Sequence, residues 1–353
     1  MEASGGGVKC KIFHNVFEEI ISLENLFSAW QEFRLGKRNK PGVQEFEYNL
    51  EDNIFQLYRE LEDRTYRHSY YTSFYIQDPK LRYIHKARVK DRVLHHAVFR
   101  ILYHVFDPTF IFDSYSCRLK KGTHKAVNRL QQFAKKVGKN NATDCFILKC
   151  DIKKFFDSID QDILISLIEK QVRDKDAVWL IKKIVKSFSI LPHKGLPLGN
   201  ITSQLFANIY LNELDQFIKH KLKIRCYIRY CDDFVILSDN KEYLENLIYT
   251  INSFLKDRLK LSLHSDKIKI RKYHQGIDFL GYVSFPHYRI LRIKTKKRMF
   301  RKIEQRIEEL KQGKISRASF DQTIHSYFGV LKHCNSYKLQ QKLESKVYQN
   351  TTR

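Results

Sequence analysis

The chain has 353 residues, 43% of them hydrophobic, enough for two or three packed units and incompatible with a disordered polymer. Lys and Arg number 64 against 39 Asp and Glu, a formal charge of +25, and a folded protein this basic is matched to a polyanion. No apolar run approaches the ~20 residues of a membrane span. The opening MEASGGGVKCKIFHNVF lacks the charged-then-apolar order of a secretion signal, so a soluble, cytoplasmic chain with no membrane partner is expected.

Residues 1–11 show no periodicity. From Phe13 to Leu61 apolar residues recur at helical spacing, and Lys37–Gly42 is predicted to break two helices. SFYIQDPKLRYIHKA reads as two short strands joined at Asp78-Pro79. DRVLHHAVFRILYHVFD reads as a helix on which His95 and His96 serve packing rather than metal binding. CFILKCDI is a short apolar run, a buried strand with Asp151 at its end, and helices follow from Gln161 to about Phe188. Residues 195–218, GLPLGNITSQLFANIYLNELDQFI, form a Gly/Pro loop opening an amphipathic helix. Thr202 or Ser203 is its expected N-cap, and Phe206, Tyr210, Leu214 and Phe217 mark its apolar stripe.

RCYIRY and FVILSD then read as a hairpin with Asp232 and Asp233 at its tip. A helix from Lys241 to about Leu259, a strand around Lys267–Ile270 and the run GIDFLGYVSF follow. The stretch 286–353 is basic helix, with 17 Lys and Arg against 5 Asp and Glu, the composition of a surface that tracks a phosphate backbone. With strands in the middle and helices at both ends, the order is α+β.

Seven cysteines, an odd number in a long chain, argue against a secreted disulfide framework. Cys145/Cys150 and Cys226/Cys231 share a spacing of five. In a strand that spacing sends side chains to opposite faces, so these are core cysteines and not zinc ligands.

Two apolar strands thus each carry acid at one end: Asp151, and Asp232 with Asp233. Burying carboxylates together raises their pKa values and destabilises the fold unless cations neutralise them. Hard oxygen ligands of this kind suit Mg²⁺ or Mn²⁺, and two such ions ~4 Å apart support phosphoryl transfer.

These segments, in this order, resemble the motif series of reverse transcriptases. KCDIKKFFDSI resembles the motif bearing the first metal-binding aspartate, and YCDD the second. GLPLGNITSQLFANIYLNELD resembles the motif under template and nucleotide. LSLHSDKIKI with GIDFLGY resembles the lysine-bearing motif and the primer grip, and DPKLRYIHKARVKDRVLHHAV with DSYSCRLKKGTHKAV the fingers motifs. The resemblance covers about residues 25–345.

It implies a right-hand polymerase fold with fingers, an antiparallel-sheet palm and a short helical thumb. The expected division is an N-terminal extension (1–24), fingers with part of the palm (25–145), palm (146–285) and thumb (286–353). It further implies that two Mg²⁺ ions (or Mn²⁺) are held by Asp151, Asp232, Asp233 and the Ile152 carbonyl. Lys267 would protonate the leaving pyrophosphate. Lys80 and Arg82 would hold the triphosphate. Phe156 would select deoxynucleotides by colliding with a 2′-hydroxyl. Leu198, Gly199 and Gln204 would line the nascent base pair, and Phe279, Leu280, Gly281 and Tyr282 would form the primer grip. Template RNA, a DNA or RNA primer with its cDNA, and dNTPs are the implied partners.

Within the family, Leu198-Gly-Asn-Ile-Thr-Ser-Gln204 departs from the usual Gln-Gly-x-x-x-Ser-Pro. Together with its flanks it resembles the reverse transcriptases of diversity-generating retroelements, which implies error-prone copying opposite template adenines and a small basic oligomeric accessory protein. Leu lacks the amide that a Gln would offer as a geometric check. Standalone and phage-defence reverse transcriptases that copy a non-coding RNA share parts of this pattern. An inactive RNA-binding protein on a polymerase scaffold is the reading of another class, and the intact Asp151, Asp232 and Asp233 argue against it.

Overall fold

A computed structural model describes residues 11–77 and 81–351; the expected joint at Asp78-Pro79, and Lys80, lie outside them. The chain divides into two compact units, each drawn from separate stretches. The first takes the chain up to Arg118, Ile152–Lys223 and Thr250–His264. The second takes Leu119–Asp151, Ile224–Tyr249 and the chain from Ser265 onward.

The first unit opens on four helices: α1 (Val16–Ile21), α2 (Leu23–Arg34), α3 (Pro41–Tyr48) and α4 (Leu50–Glu62). Their helically spaced apolar residues, Phe17, Leu26, Trp30, Phe33, Ile54, Leu57 and Leu61 among them, are buried. The expected break between two helices is present, with Pro41 and Gly42 falling just after it. Pro41 stands at the first position of α3, where its missing N–H is not needed, and the break is the turn before it.

The expected strand pair is β1 (Thr72–Gln77) and β2 (Leu81–Lys86), an antiparallel ribbon in register from Thr72↔Lys86 to Gln77↔Leu81. α5 (Val89–Phe106) follows and carries His95 into the core. The second unit begins with α6 (Thr123–Val137) and β3 (Phe146–Asp151). The first resumes with α7 (Phe155–Ser158), α8 (Gln161–Glu169), α9 (Lys175–Lys186) and α10 (Ile201–Gln216).

Two details of α10 differ from expectation. Its N-cap is Asn200, without a side-chain cap hydrogen bond, and Thr202 and Ser203 are buried in its first turn. Nor is it amphipathic. Packed against α5 and α8, it buries Leu205–Leu211 without interruption, so period alone understated its burial. Asn208 satisfies its amide there by donating to the Ser116 carbonyl at 2.9 Å.

The second unit resumes with β4 (Tyr227–Tyr230) and β5 (Asp233–Ser238). α11 (Lys241–Leu259) begins in the second unit and ends in the first. β6 (Lys269–Lys272), β7 (Ile277–Phe279), β8 (Tyr282–Ser284) and β9 (Arg289–Leu291) belong to the second. One sheet runs β4-β5-β3-β6 and another β7-β8-β9, both antiparallel throughout. β5 is apolar and buried from Phe234 to Leu237, as a strand covered on both faces must be. β6 begins two residues later than expected, because Ser265–Lys267 forms a 3₁₀ turn.

The unit ends in α12 (Ile293–Lys311), α13 (Arg317–Leu331) and α14 (Tyr337–Thr351), packed on one another through Met299, Ile303, Phe320, Leu331 and Leu343. That core leaves Lys294, Lys296, Lys297 and Arg301 exposed, so the excess positive charge is solvated. Among the described residues no helix is long and apolar enough to cross a membrane. Cys145, Cys150 and Cys226 are buried as core cysteines, whereas Cys231, expected in the core too, is half-buried in the turn after β4.

Candidate active site

The acidic residues are set by strand register in the second unit. β3 and β5 pair antiparallel with Asp151 directly opposite Asp233, and Tyr230 faces Asp233 from β4. Between β4 and β5 only Cys231 and Asp232 remain, a two-residue turn. Cys231 takes φ +56°, a conformation that costs a residue with a β-carbon about 1 kcal/mol. Strain at this tip holds Asp232 between two buried strands. The hairpin expected from RCYIRYCDDFVILSD is therefore present, with its acids at the tip.

The pleat places Lys149 on the same face of β3 as Asp151. Lys149 pairs with Val235, so Asp233, two residues away on β5, is its diagonal neighbour. Lys149 Nζ lies 3.2 Å from Asp233 Oδ2 and donates to the Asp278 carbonyl at 2.9 Å. On the other side β6 pairs with β3 up to Lys149↔Lys269, and Lys267 lies in the 3₁₀ turn just before β6. Its Nζ donates to Asp151 Oδ1 at 2.7 Å. Each sheet carboxylate thus meets one lysine.

Those lysines do not offset burial fully. Desolvation, and then the negative charge of Asp151, raise the pKa of Asp232. Desolvation pushes Asp233 up to about 6 although Lys149 pulls it down, and Asp233 Oδ1 is buried without a hydrogen bond. Burial likewise pushes the Cys150 thiol up to about 12, so it is an inert core group.

The three carboxylates lie close enough to feel one another's charge, since, after desolvation, Asp151 raises both Asp232 and Asp233. Among the described residues no group of three or more His, Cys, Asp or Glu is placed to hold a metal ion. Asp233 is turned to Lys149 and Asp151 to Lys267, and each ion pair occupies an oxygen that a cation would take. What remains is a set of hard oxygen donors carrying more negative charge than its surroundings offset. That chemistry fits Mg²⁺.

Beside this group, Phe279, Leu280, Gly281 and Tyr282 make a tight hairpin between β7 and β8. Leu280 (φ +51°) and Gly281 (φ +92°) both take left-handed backbone, as a two-residue turn of this hand requires. Phe279 and Tyr282 are buried, so only the turn is presented outward. The Tyr282 hydroxyl donates to the Val330 carbonyl of α13, which fastens the turn to the terminal helices.

Ile152, Arg82, Phe156, Leu198, Gly199 and Gln204 belong to the first unit. The Ile152 side chain is buried. Phe156, partly exposed, is edge-on to the buried Phe155, and its carbonyl accepts from Leu196 N–H at 2.8 Å. The loop preceding α10 is tied to the ribbon, because His85 N–H donates to the Leu198 carbonyl at 3.2 Å. Gly199 takes φ +117°, which a residue with a β-carbon rarely adopts, and a β-carbon there would also crowd the Ile84 Cγ2 methyl at 3.1 Å. Arg82 and Gln204 are exposed. Lys80 lies outside the described residues.

Lys149 is the member of this cluster that motif reading missed. Its signal was present: a lone lysine inside an apolar strand, two residues before an aspartate, shares that aspartate's face.

A model of the family described as reverse transcriptase (RNA-dependent DNA polymerase) matches residues 77–284. Protein YkfC of Escherichia coli (strain K12) is 25% identical over 247 residues, 58% of this chain and 63% of the relative. The group II intron-encoded protein LtrA of Lactococcus lactis subsp. cremoris is 26% identical over 303 residues, 66% of this chain and 49% of the relative. The chain therefore spans less than two thirds of the length of these curated relatives. Among solved structures, apo telomerase from Candida tropicalis aligns with a TM-score of 0.48 at 14% identity, covering 62% of this chain and 48% of that one.

Proposed function

The chain belongs to the reverse transcriptase family, whose model spans more than half of it, and on that premise we propose that it is an RNA-directed DNA polymerase. The observation that carries the reading is the register placing Asp151 opposite Asp233, with Asp232 on a strained turn beside them. Carboxylates held at such cost serve a reaction in which cations and phosphates complete the charge balance.

Asp151 and Asp232 would hold two Mg²⁺ ions, with the Ile152 carbonyl and Asp233 beside them. When bound, the metals lower the pKa of the primer 3′-hydroxyl and stabilise charge on the leaving pyrophosphate. The chain's own groups supply the rest. Lys149 keeps Asp233 ionised. Lys267, now on Asp151, is the proposed proton donor to pyrophosphate. Arg82 and Lys80 hold the triphosphate, Arg82 as a planar fork. Phe156 excludes a 2′-hydroxyl, and Leu198, Gly199 and Gln204 border the base pair. The turn Phe279–Tyr282 supports the primer end, and the helices from 286 onward follow the duplex backbone. We retain the four-part division into extension, fingers, palm and thumb as part of this proposal.

The subtype we propose is that of diversity-generating retroelements. Leu198 supports it: an apolar side chain stands where a carboxamide would test base geometry. Primer extension on an RNA template tests both levels. Asp232→Ala with Asp233→Ala should abolish synthesis. The wild-type enzyme should misincorporate opposite adenine more than opposite other bases, and Leu198→Gln should narrow that gap. Equal fidelity at all four bases refutes the subtype and leaves the polymerase standing.

A further inference from the structure

The β1–β2 ribbon is open to solvent along nearly its whole length yet carries large apolar side chains. Tyr75 is 67% exposed and Tyr83 45%. An isolated two-stranded ribbon is marginal in water, and exposed aromatics on one call for an explanation in binding. The register explains their arrangement. Tyr75 and Tyr83 are direct cross-strand partners, with ring centroids 4.6 Å apart. Tyr83 meets His85, two residues on and so on the same face, at 4.7 Å, and His85 meets Phe188 at 4.5 Å. Ser73 Oγ bonds His85 Nδ1 at 2.8 Å and steadies that imidazole. A continuous aromatic ladder therefore runs along one face of the ribbon and ends where His85 N–H meets the Leu198 loop. Arg82, adjacent to Tyr83, lies on the opposite face, so the ladder is distinct from the surface assigned to the triphosphate.

We infer that this ladder is a stacking platform for the unpaired stretch of the template RNA. The inference rests on the polymerase reading and adds to it a surface and the strand that occupies it. Charge selects nucleic acid over a protein or a second copy of the chain. From Arg64 to Lys90 the sequence has seven Lys and Arg against one acid, Asp78; Arg64 pairs with Asp176 and Lys90 with Glu60, which leaves five cations against that one acid. Exposed Arg67 and Arg88, outside the two strands, offer phosphate contacts on the same segment. Aromatic faces bordered by cations bind single strands without regard to sequence, since every base has a π-face. The continuity with the Leu198 loop gives the strand a direction, toward the loop assigned to the base pair.

The test uses the full chain and two primer–template duplexes, with RNA template overhangs of about 2 and about 12 nucleotides, the longer carrying 2-aminopurine. Stacking worth ~1.4 kcal/mol makes the long-overhang complex about tenfold tighter and changes the probe's fluorescence. Tyr75→Ala with Tyr83→Ala should reduce the ratio to near one while leaving binding and first-nucleotide addition on the short overhang unchanged. Tyr75→Phe with Tyr83→Phe, which keeps both rings, should retain the ratio. An overhang preference that survives the double alanine change overturns the inference. So does equal loss on both substrates, or a concentration-dependent dimer that the same change abolishes. A wild-type chain that extends no primer sinks the polymerase reading instead.

Discussion

Two of the places where the chain buries titratable groups share the same physics and differ in outcome. In the second unit desolvation raises Asp232 and Asp233. In the first it lowers His95 well below the ordinary imidazole range and His96 to about 4. In each case burial favours the neutral form. The difference lies in the neighbours. Asp233 has Lys149 at 3.2 Å, a cation that opposes burial and keeps the carboxylate available. His95 has His68 and His96, and His96 has Lys37, Arg92 and Arg100, like charges that join burial in suppressing protonation. A buried acid beside a cation retains charge that burial alone would remove, and a buried imidazole among cations stays neutral. This separates the acid pair from the equally conspicuous histidine pair.

The largest expected effect breaks the comparison on its functional side. Asp232→Ala with Asp233→Ala should lower primer extension by about a thousandfold or more. Removing two incompletely compensated buried carboxylates should, in metal-free buffer, leave the melting temperature unchanged or higher. A fall in melting temperature matching the loss of activity would make these residues structural.

Next in size is Lys149→Met, which strands Asp233 without its cation. We expect a loss of about 2–3 kcal/mol in chemical denaturation at neutral pH. Adding Asp233→Asn should recover most of it, and a double-mutant cycle measures the coupling.

The smallest effect belongs to His96. Its folded pKa of about 4 lies below the unfolded value near 6.5, so the unfolded chain binds the extra proton between them. The stabilisation from keeping His96 neutral is therefore present above about pH 6.5 and is lost as the pH falls toward 4. Its full extent is at most about 3 kcal/mol. His96→Gln should flatten that part of the stability–pH curve and leave primer extension at pH 7.5 unchanged. A drop in extension at that pH would give the histidine pair a role in the reaction.

Much of this was legible in the residues. The apolar periodicity of α2, α4 and α12, the alternating ribbon and the RCYIRYCDDFVILSD hairpin all follow from local preference, because short-range sterics and burial set them. The acids at strand ends were visible for the same reason. The amphipathic α10 and a cap at Thr202 or Ser203 were not realised, since each depended on what else packs there. α10 is buried all round by α5 and α8.

The sequence by itself determined the large net positive charge, the α+β order and which residues carry oxygen donors, because charge, period and side-chain chemistry are local. Only the tertiary structure decided that Asp151 faces Asp233, that Lys267 and Lys149 answer them, and that Tyr75, Tyr83, His85 and Phe188 join into one ladder. Register and packing couple residues far apart in the chain, and a one-residue slip would send each of those side chains to the other face.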